Sequence, residues 1–366
     1  MNATQPFHEL GQSLWLEGIT RDMLDGGRVK QAIEEWAVTG VIFDPVLFIP
    51  AIRSSPSYDA AIGKKLKKEM VGEDLLFDLA LEDLRYAADL LRPIHDRTDG
   101  VDGWAVIGVS PLIAHDAGRV LAAAKDLHRR AGRPNFLVTI PGSRVCIPAV
   151  EEAIEAGVPV NVGLLFSREH YLAAAEAFLR GTERRIDAGL SPGIASIASL
   201  SVGRWDAAVA GRAPDGLDNQ LGIAVARSTY KACRELLHSP RWERAFHAGA
   251  RPHRLLWAGS GAAASNGRAP SYAVGLAAPM TIHKMPEGAL EKFFEPGEPC
   301  LPIPADGGDF ESVLARFQKS GIQIEELADQ FQNEEVDRDV KSWIELLSVL
   351  ASKSATLAAP QSQPSL

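Results

Sequence analysis

The sequence predicts an α/β fold: one (β/α)8 TIM barrel followed by extra C-terminal helices. Three observations predict it. Eight short runs rich in Val, Ile and Leu recur over the first 286 residues. They lack the strict apolar–polar alternation of a one-sided sheet, as strands covered on both faces do. Helical patterns separate them, and eight strands alternating with helices in a chain of 366 residues suggest a barrel rather than two small domains.

The first run, SLWLE (13–17), ends at Glu17, and the second, VTGVIFD (38–44), ends at Asp44 ahead of a proline. GWAVIGVSP (103–111) and NFLVTIPG (135–142) follow, then VPVNVGLLF (158–166) and IASLSVGRWD (197–206). RLLWAGSG (254–261) and MTIHKMP (280–286) complete the eight. Between strands three and four, residues 117–132 set Val120, Leu121, Ala124 and Leu127 on one stripe and stop at a glycine, which predicts an amphipathic helix. Residues 149–157 and 167–189 read the same way, the second opening on Ser167 with Glu169 close behind as a cap and acidic first turn. After Pro286 the pattern turns purely helical, so 1–286 is expected to be the barrel and 287–350 helices packed on its outside. Residues 351–366, poor in bulky apolar side chains, are expected to be a disordered tail.

Composition narrows the function classes. Apolar residues make up 46% and charged residues 23%, ordinary for a globular protein able to bury a core. A net charge of −9 without a basic block argues against nucleic-acid binding. The three cysteines are far apart with no CxxC pair, so neither a zinc site nor a disulfide framework is indicated and reduced thiols are expected. MNATQPFHELGQS has no charged stretch leading into an apolar run, and no apolar run approaches the roughly 20 residues of a membrane span. A cytoplasmic protein with no metal, cofactor, nucleic-acid or membrane partner is therefore expected. A homodimer is allowed for, without a feature that demands it.

In a barrel of this kind the site lies at the C-terminal strand ends. The polar side chains there are Glu17, Asp44, Asn161, Ser199, Ser201, Arg204, His283 and Lys284, whereas strands three and four offer only Gly108, Ser110 and Thr139.

Several blocks resemble the longer bacterial transaldolases: LGQSLWLEGITRDML, VTGVIFDPVLF, GVSPLIAHDAG, GRPNFLVTIPGS, IEAGVPVNVGLLFSREHYLAAAEAFLRG, SVGRWDAAV, RLLWAGSG and HKMPEGALEKF. The resemblance runs from residue 8 to about 350 and implies a (β/α)8 barrel. It also implies transfer of a three-carbon unit between sugar phosphates through a Schiff base, which needs a lysine amine. Where the family reads FIKIPG this chain reads LVTIPG, so Thr139 stands at the lysine position, and a hydroxyl cannot form an imine. The resemblance puts Glu17 at the family's strand-one aspartate. It puts Ile42 and Asp44 on its TSNP segment, Gly108 at its strand-three glutamate and Gly163 at its strand-five threonine. Asn161, Ser199 and Arg204 are retained, the last at a phosphate-holding position. The lysine of the family's ASTGTK is lost near Ala263.

These substitutions predict a pocket larger and more apolar than a sugar-phosphate site. The leading expectation is an enzyme that has given up Schiff-base chemistry and acts as a lyase, isomerase or cyclase on a small molecule, with or without a phosphate or diphosphate group. Glu17 and Asp44 would be the acid/base pair. Asn161, Ser199, Arg204, Thr139 and His283 would contact substrate. Competing roles stand beside each. Glu17 could be a structural carboxylate, Asp44 could cap the turn at Pro45, Arg204 could pair with Asp206, and Asn161 and Ser199 could be packing hydrogen bonds. Only one of His283 and Lys284 can face the interior; Lys284 is either a re-sited nucleophile or a solvated lysine. Arg144 either holds an anion over the pocket or is a solvated loop residue, the second being the leading reading, and Cys146 reads as a small apolar filler. The glycine-rich 258–270 fits no phosphate-loop pattern and is expected to be a loop. The alternatives are a non-catalytic binding protein and a true transaldolase using Lys284.

Overall fold

The computed structural model describes residues 5–259, 272–293 and 302–359. Eight parallel strands close into a barrel in chain order: β1 (Ser13–Glu17), β2 (Val38–Ile42), β3 (Trp104–Gly108), β4 (Phe136–Pro141), β5 (Val160–Leu165), β6 (Ser196–Ser201), β7 (His253–Ala258) and β8 (Thr281–Pro286). β1 closes the ring against β8, with Trp15 opposite Lys284. All eight expected runs are strands. The third and sixth end earlier than expected, because Ser110 and Gly203 turn the chain into a short 3-10 turn and a short helix, Arg204–Ala208.

Alternation along each strand sorts side chains into two cores. Trp15, Ile42, Val106, Leu137, Ile197, Leu256 and Ile282 fill the inside. Their neighbours, among them Leu14, Val41, Ile107, Val138, Trp257 and Met285, face the surrounding helices. Both sets are almost fully buried, which explains the near-continuous apolar strands. Each such aliphatic side chain contributes about 1.5–3 kcal/mol by leaving water. Gly40 is required by packing: a Cβ there would stand 2.5 Å from the Trp15 ring that lies across it.

A buried polar knot closes the N-terminal floor of the barrel. Arg254 donates from Nη2 to Ser13 Oγ (2.7 Å) and from Nη1 to the Val101 carbonyl (2.7 Å). Ser13 Oγ donates to Asp102, which also accepts from Trp15 Nε1 at 2.8 Å. The buried guanidinium thus has several acceptors and a nearby carboxylate, the condition under which a buried charge is tolerated.

The expected helices form. Ala117–Ala131 ends on Gly132 in the left-handed region at φ 59°, and Ser167 caps Arg168–Asp187 by accepting from His170 N. The 26-residue helix Gly72–Arg97 was not foreseen. After the barrel come Glu287–Phe293, Phe310–Lys319 and a 35-residue helix, Ile324–Ala358. That last helix crosses the C-terminal mouth of the barrel and is here called the roof helix. It continues to Ala358, so residues 351–358 of the expected tail are helical. Two anchors near its end hold them: Lys353 Nζ donates to the Ser55 carbonyl at 2.6 Å and pairs with Asp59 at 2.7 Å. Among the described residues no helix is long and apolar enough to cross a membrane.

Candidate functional site

The C-terminal strand ends and the roof helix enclose a cavity of about 340 Å³. Glu17, Asp44, Thr139, Asn161, Ser199 and Lys284 line it from below, as do Ile42, Gly108 and Gly163. Glu335, Val336, Arg338, Asp339, Ser342 and Trp343 line it from above. The size falls within the roughly 300–1,000 Å³ typical of small-molecule pockets.

Three inward side chains form a row across β4, β5 and β6. Ser199 Oγ donates to Asn161 Oδ1 at 2.7 Å, and Asn161 Nδ2 donates to Thr139 Oγ1 at 3.0 Å. Thr139 is flanked by glycines: Gly108 opposite it on β3, and Gly163, where a Cβ would meet Thr139 Cγ2 at 3.0 Å. The absent side chains on both sides open the cavity around the hydroxyl.

β8 settles which of its two polar residues looks inward. Ile282 belongs to the inner core and Met285 to the outer one, so alternation turns Lys284 inward and His283 outward. His283 is fully buried in the barrel wall and does not line the cavity. The expectation that it contacts substrate is corrected. Lys284 Nζ donates to Glu17 Oε1, so the carboxylate of β1 and the ammonium of β8 form an ion pair on the cavity floor.

Asp44 lies just beyond β2 and caps the helix Pro45–Ser54. Its Oδ1 accepts from Val46 N (2.7 Å) and Leu47 N (3.3 Å), and the residue also lines the cavity. The cap and the cavity position coexist.

Arg204 is not on β6 but opens the helix that follows it. Its Nη1 donates to the Phe331 carbonyl (3.3 Å) and pairs with Glu335 (3.1 Å), while Nη2 pairs with Glu334. The guanidinium lies over the Phe331 ring, 4.8 Å from its centroid. Arg204 does not line the cavity, so the expectation that it contacts substrate there is corrected. The competing pairing with Asp206 does not form either, and Asp206 accepts instead from Tyr272 Oη and from Leu221 N at 2.9 Å. Arg204 and Arg338 border a second, more open groove of about 750 Å³ beside the cavity.

Sequence reading missed the roof. Asp339 is the main omission. It stands at the cavity rim with part of its side chain still open to solvent, and the surrounding protein raises its pKa to about 6, with the charge of Asp44 adding and those of Arg338 and Lys284 opposing. Nothing local in EEVDRDVKSW says that this stretch will lie over a barrel mouth. Arg144 is exposed and away from the cavity. Cys146 is buried with its thiol donating to the Ala114 carbonyl, and burial raises its pKa, so it packs rather than reacts. Cys233 is also a free, buried thiol, whereas Ala263, Cys300 and most of 258–270 lie outside the described residues.

A closed eight-stranded barrel with its polar side chains gathered at the C-terminal mouth defines the class: a (β/α)8 barrel with an enzyme-type pocket. Comparison gives the family. The model for the transaldolase/fructose-6-phosphate aldolase family matches residues 14–350, and the chain belongs to that family. It is 33% identical over 365 residues to the transaldolase of Thermobifida fusca, covering 96% of this chain and 98% of that one. It is also 33% identical over 350 residues to transaldolase 1 of Streptomyces avermitilis, 93% of each chain. A transaldolase of Parafrankia is 31% identical over 357 residues, 95% of this chain and 97% of its own.

Proposed function

We propose that this transaldolase-family barrel is an enzyme working by proton transfer between carboxyl groups and a small molecule held in the roofed cavity, without an imine at the fourth strand. One observation carries the reading. Glu17, Asp44 and Asp339 reach, from three different elements, the cavity in which Asn161 donates to Thr139, the residue that the resemblance sets at the family's lysine position. Glu17, paired with Lys284, suits the role of base. Asp339, with a pKa near 6, can carry a proton close to neutrality and return it from the opposite side. A lyase, isomerase or cyclase step needs only this pair of transfers.

The test uses a metabolite extract of the source organism, incubated with the protein in D2O and read by mass spectrometry. Wild-type protein is expected to label or convert at least one metabolite, and Glu17→Gln is expected not to. An extract left unchanged by the wild type would favour the non-catalytic alternative.

A second reading has its own support, because Lys284 presents an amine to the cavity. It makes the chain a transaldolase with a re-sited nucleophile. Borohydride reduction in the presence of fructose 6-phosphate, followed by peptide mapping, separates the two. The acid–base reading expects no adduct, and a three-carbon adduct on Lys284 would replace it with the second.

A further inference from the structure

We propose that Thr139 is a hydrogen-bond donor aimed at a carbonyl oxygen, and that the molecule in the cavity is a carbonyl compound whose developing oxyanion this hydroxyl receives. The inference deepens the acid–base reading and rests on the same cavity being the site. It comes from following the protons along the row on β4, β5 and β6. Ser199 Oγ gives its hydrogen to Asn161 Oδ1 at 2.7 Å. The amide nitrogen therefore faces β4, and Asn161 Nδ2 donates to Thr139 Oγ1 at 3.0 Å. A hydroxyl that accepts from a neighbour still has its own hydrogen to give. Among the described residues no acceptor takes that of Thr139. The row thus runs one way, from Ser199 to Thr139, and ends on a donor.

Burial puts that end at the open side. Asn161 and Ser199 are buried, whereas Thr139 is half-buried and lines the cavity. Its two flanking residues are Gly108 and Gly163, so no side chain from either position covers the hydroxyl. Each bond in such a chain polarises the next and strengthens the last donor. A carbonyl is what this donor fits and what the proton transfers need. When Glu17 takes a hydrogen from the carbon beside a carbonyl, the C–H pair becomes the C=C bond of an enolate. The carbonyl π pair moves onto oxygen, and a positioned donor stabilises the charge that develops there. Asp339 then returns a proton to the enolate, the pair moves back and the carbonyl re-forms. Asn161 and Ser199 act through Thr139 and are positioning residues.

The experiment uses the full chain and acetophenone labelled with carbon-13 at its carbonyl, read by isotope-edited infrared difference spectra and by equilibrium titration. The stretch of the bound carbonyl is expected at lower frequency in the wild type than in Thr139→Val, which keeps the side-chain shape and removes the donor. Thr139→Val is also expected to weaken the probe about fivefold. Thr139→Ser restores a hydroxyl at the same place and is expected to keep the wild-type band. Asn161→Asp, at about pH 8, supplies a carboxylate that accepts from both neighbours and turns the threonine proton away from the ligand. Its band is expected to move to the Thr139→Val position. A wild-type band in Thr139→Val would overturn the proposal, as would no binding of acetophenone up to about 20 mM. A wild-type band in Asn161→Asp would overturn the directed row. Neither readout needs turnover, so a failure of Glu17 to move a proton shows in the metabolite-extract assay and not here.

Discussion

At the scale of single residues, the site turns on Thr139 and its neighbours. The hydroxyl accepts from Asn161 and is flanked by two glycines, so a lysine could be fitted in sterically. Chemistry is another matter. An amine at 139 would have Gly108 beside it and Ile42 nearby on β2, without the acid, water and hydroxyl partners that the resemblance assigns to those strands. Thr139→Lys is therefore expected to yield no measurable transfer between fructose 6-phosphate and erythrose 4-phosphate in a coupled assay, and robust transfer would show that one residue separates this chain from its relatives. Asp339 makes a second residue-level prediction. Its protonated form, favoured up to about pH 6, is the one able to donate. Any turnover found with the metabolite extract should fall as pH rises through that value, and Asp339→Asn should remove this limb of the rate profile. Gly40 gives a third. Its Cβ would be driven into the Trp15 ring, so Gly40→Ala is expected to lower stability by about 1–3 kcal/mol in urea unfolding.

At the scale of elements, the roof helix decides the character of the site, and it was the part least legible in the sequence. The strands could be read because burial on both faces leaves a local imprint: SLWLE and NFLVTIPG are apolar whatever they pack against. The roof helix packs against different things along its length. Phe331 meets Phe166 and Trp205, Trp343 meets Phe77, and the middle spans a polar cavity. Its apolar stripe is therefore interrupted, and where it lies depends on long-range contacts. One of these is buried Gln332, whose Nε2 donates to the carbonyls of Leu164 (2.8 Å) and Gly142 (3.3 Å) at the ends of β5 and β4. Leu164 sits at φ 58° where β5 slips register against β6. Gln332→Leu removes the donor and leaves two carbonyls short of a partner. It is expected to cost about 1–3 kcal/mol and to speed amide exchange in the roof helix more than in the barrel strands, measured by hydrogen–deuterium exchange.

At the scale of the whole molecule, strand order and the helical wrap follow from the sequence pattern, whereas side-chain facing at the strand ends follows from where each strand stops. Arg204 left β6 because Gly203 ends the strand, and His283 turned outward because Ile282 and Met285 fix the phase of β8. The same inside–outside division puts His253 at the start of β7, fully buried between barrel and helices. There it stacks on Phe178 and Tyr171, and its Nδ1 lies 2.9 Å from Ser196 Oγ. Desolvation lowers its pKa to about 3, against roughly 6.5 for an exposed histidine. The folded protein thus binds fewer protons here than the unfolded chain between those values. The stabilisation from an uncharged His253 is complete above about pH 6.5 and is lost progressively as pH falls toward 3, by several kcal/mol on the acid side. Urea unfolding midpoints should therefore drop steeply below about pH 6 in the wild type. His253→Phe keeps the ring stacking, leaves Ser196 without its partner at a cost of about 1 kcal/mol near neutrality, and should flatten the acid limb. A variant with the wild-type slope between pH 6 and 4 would show that another group governs the acid sensitivity of the barrel.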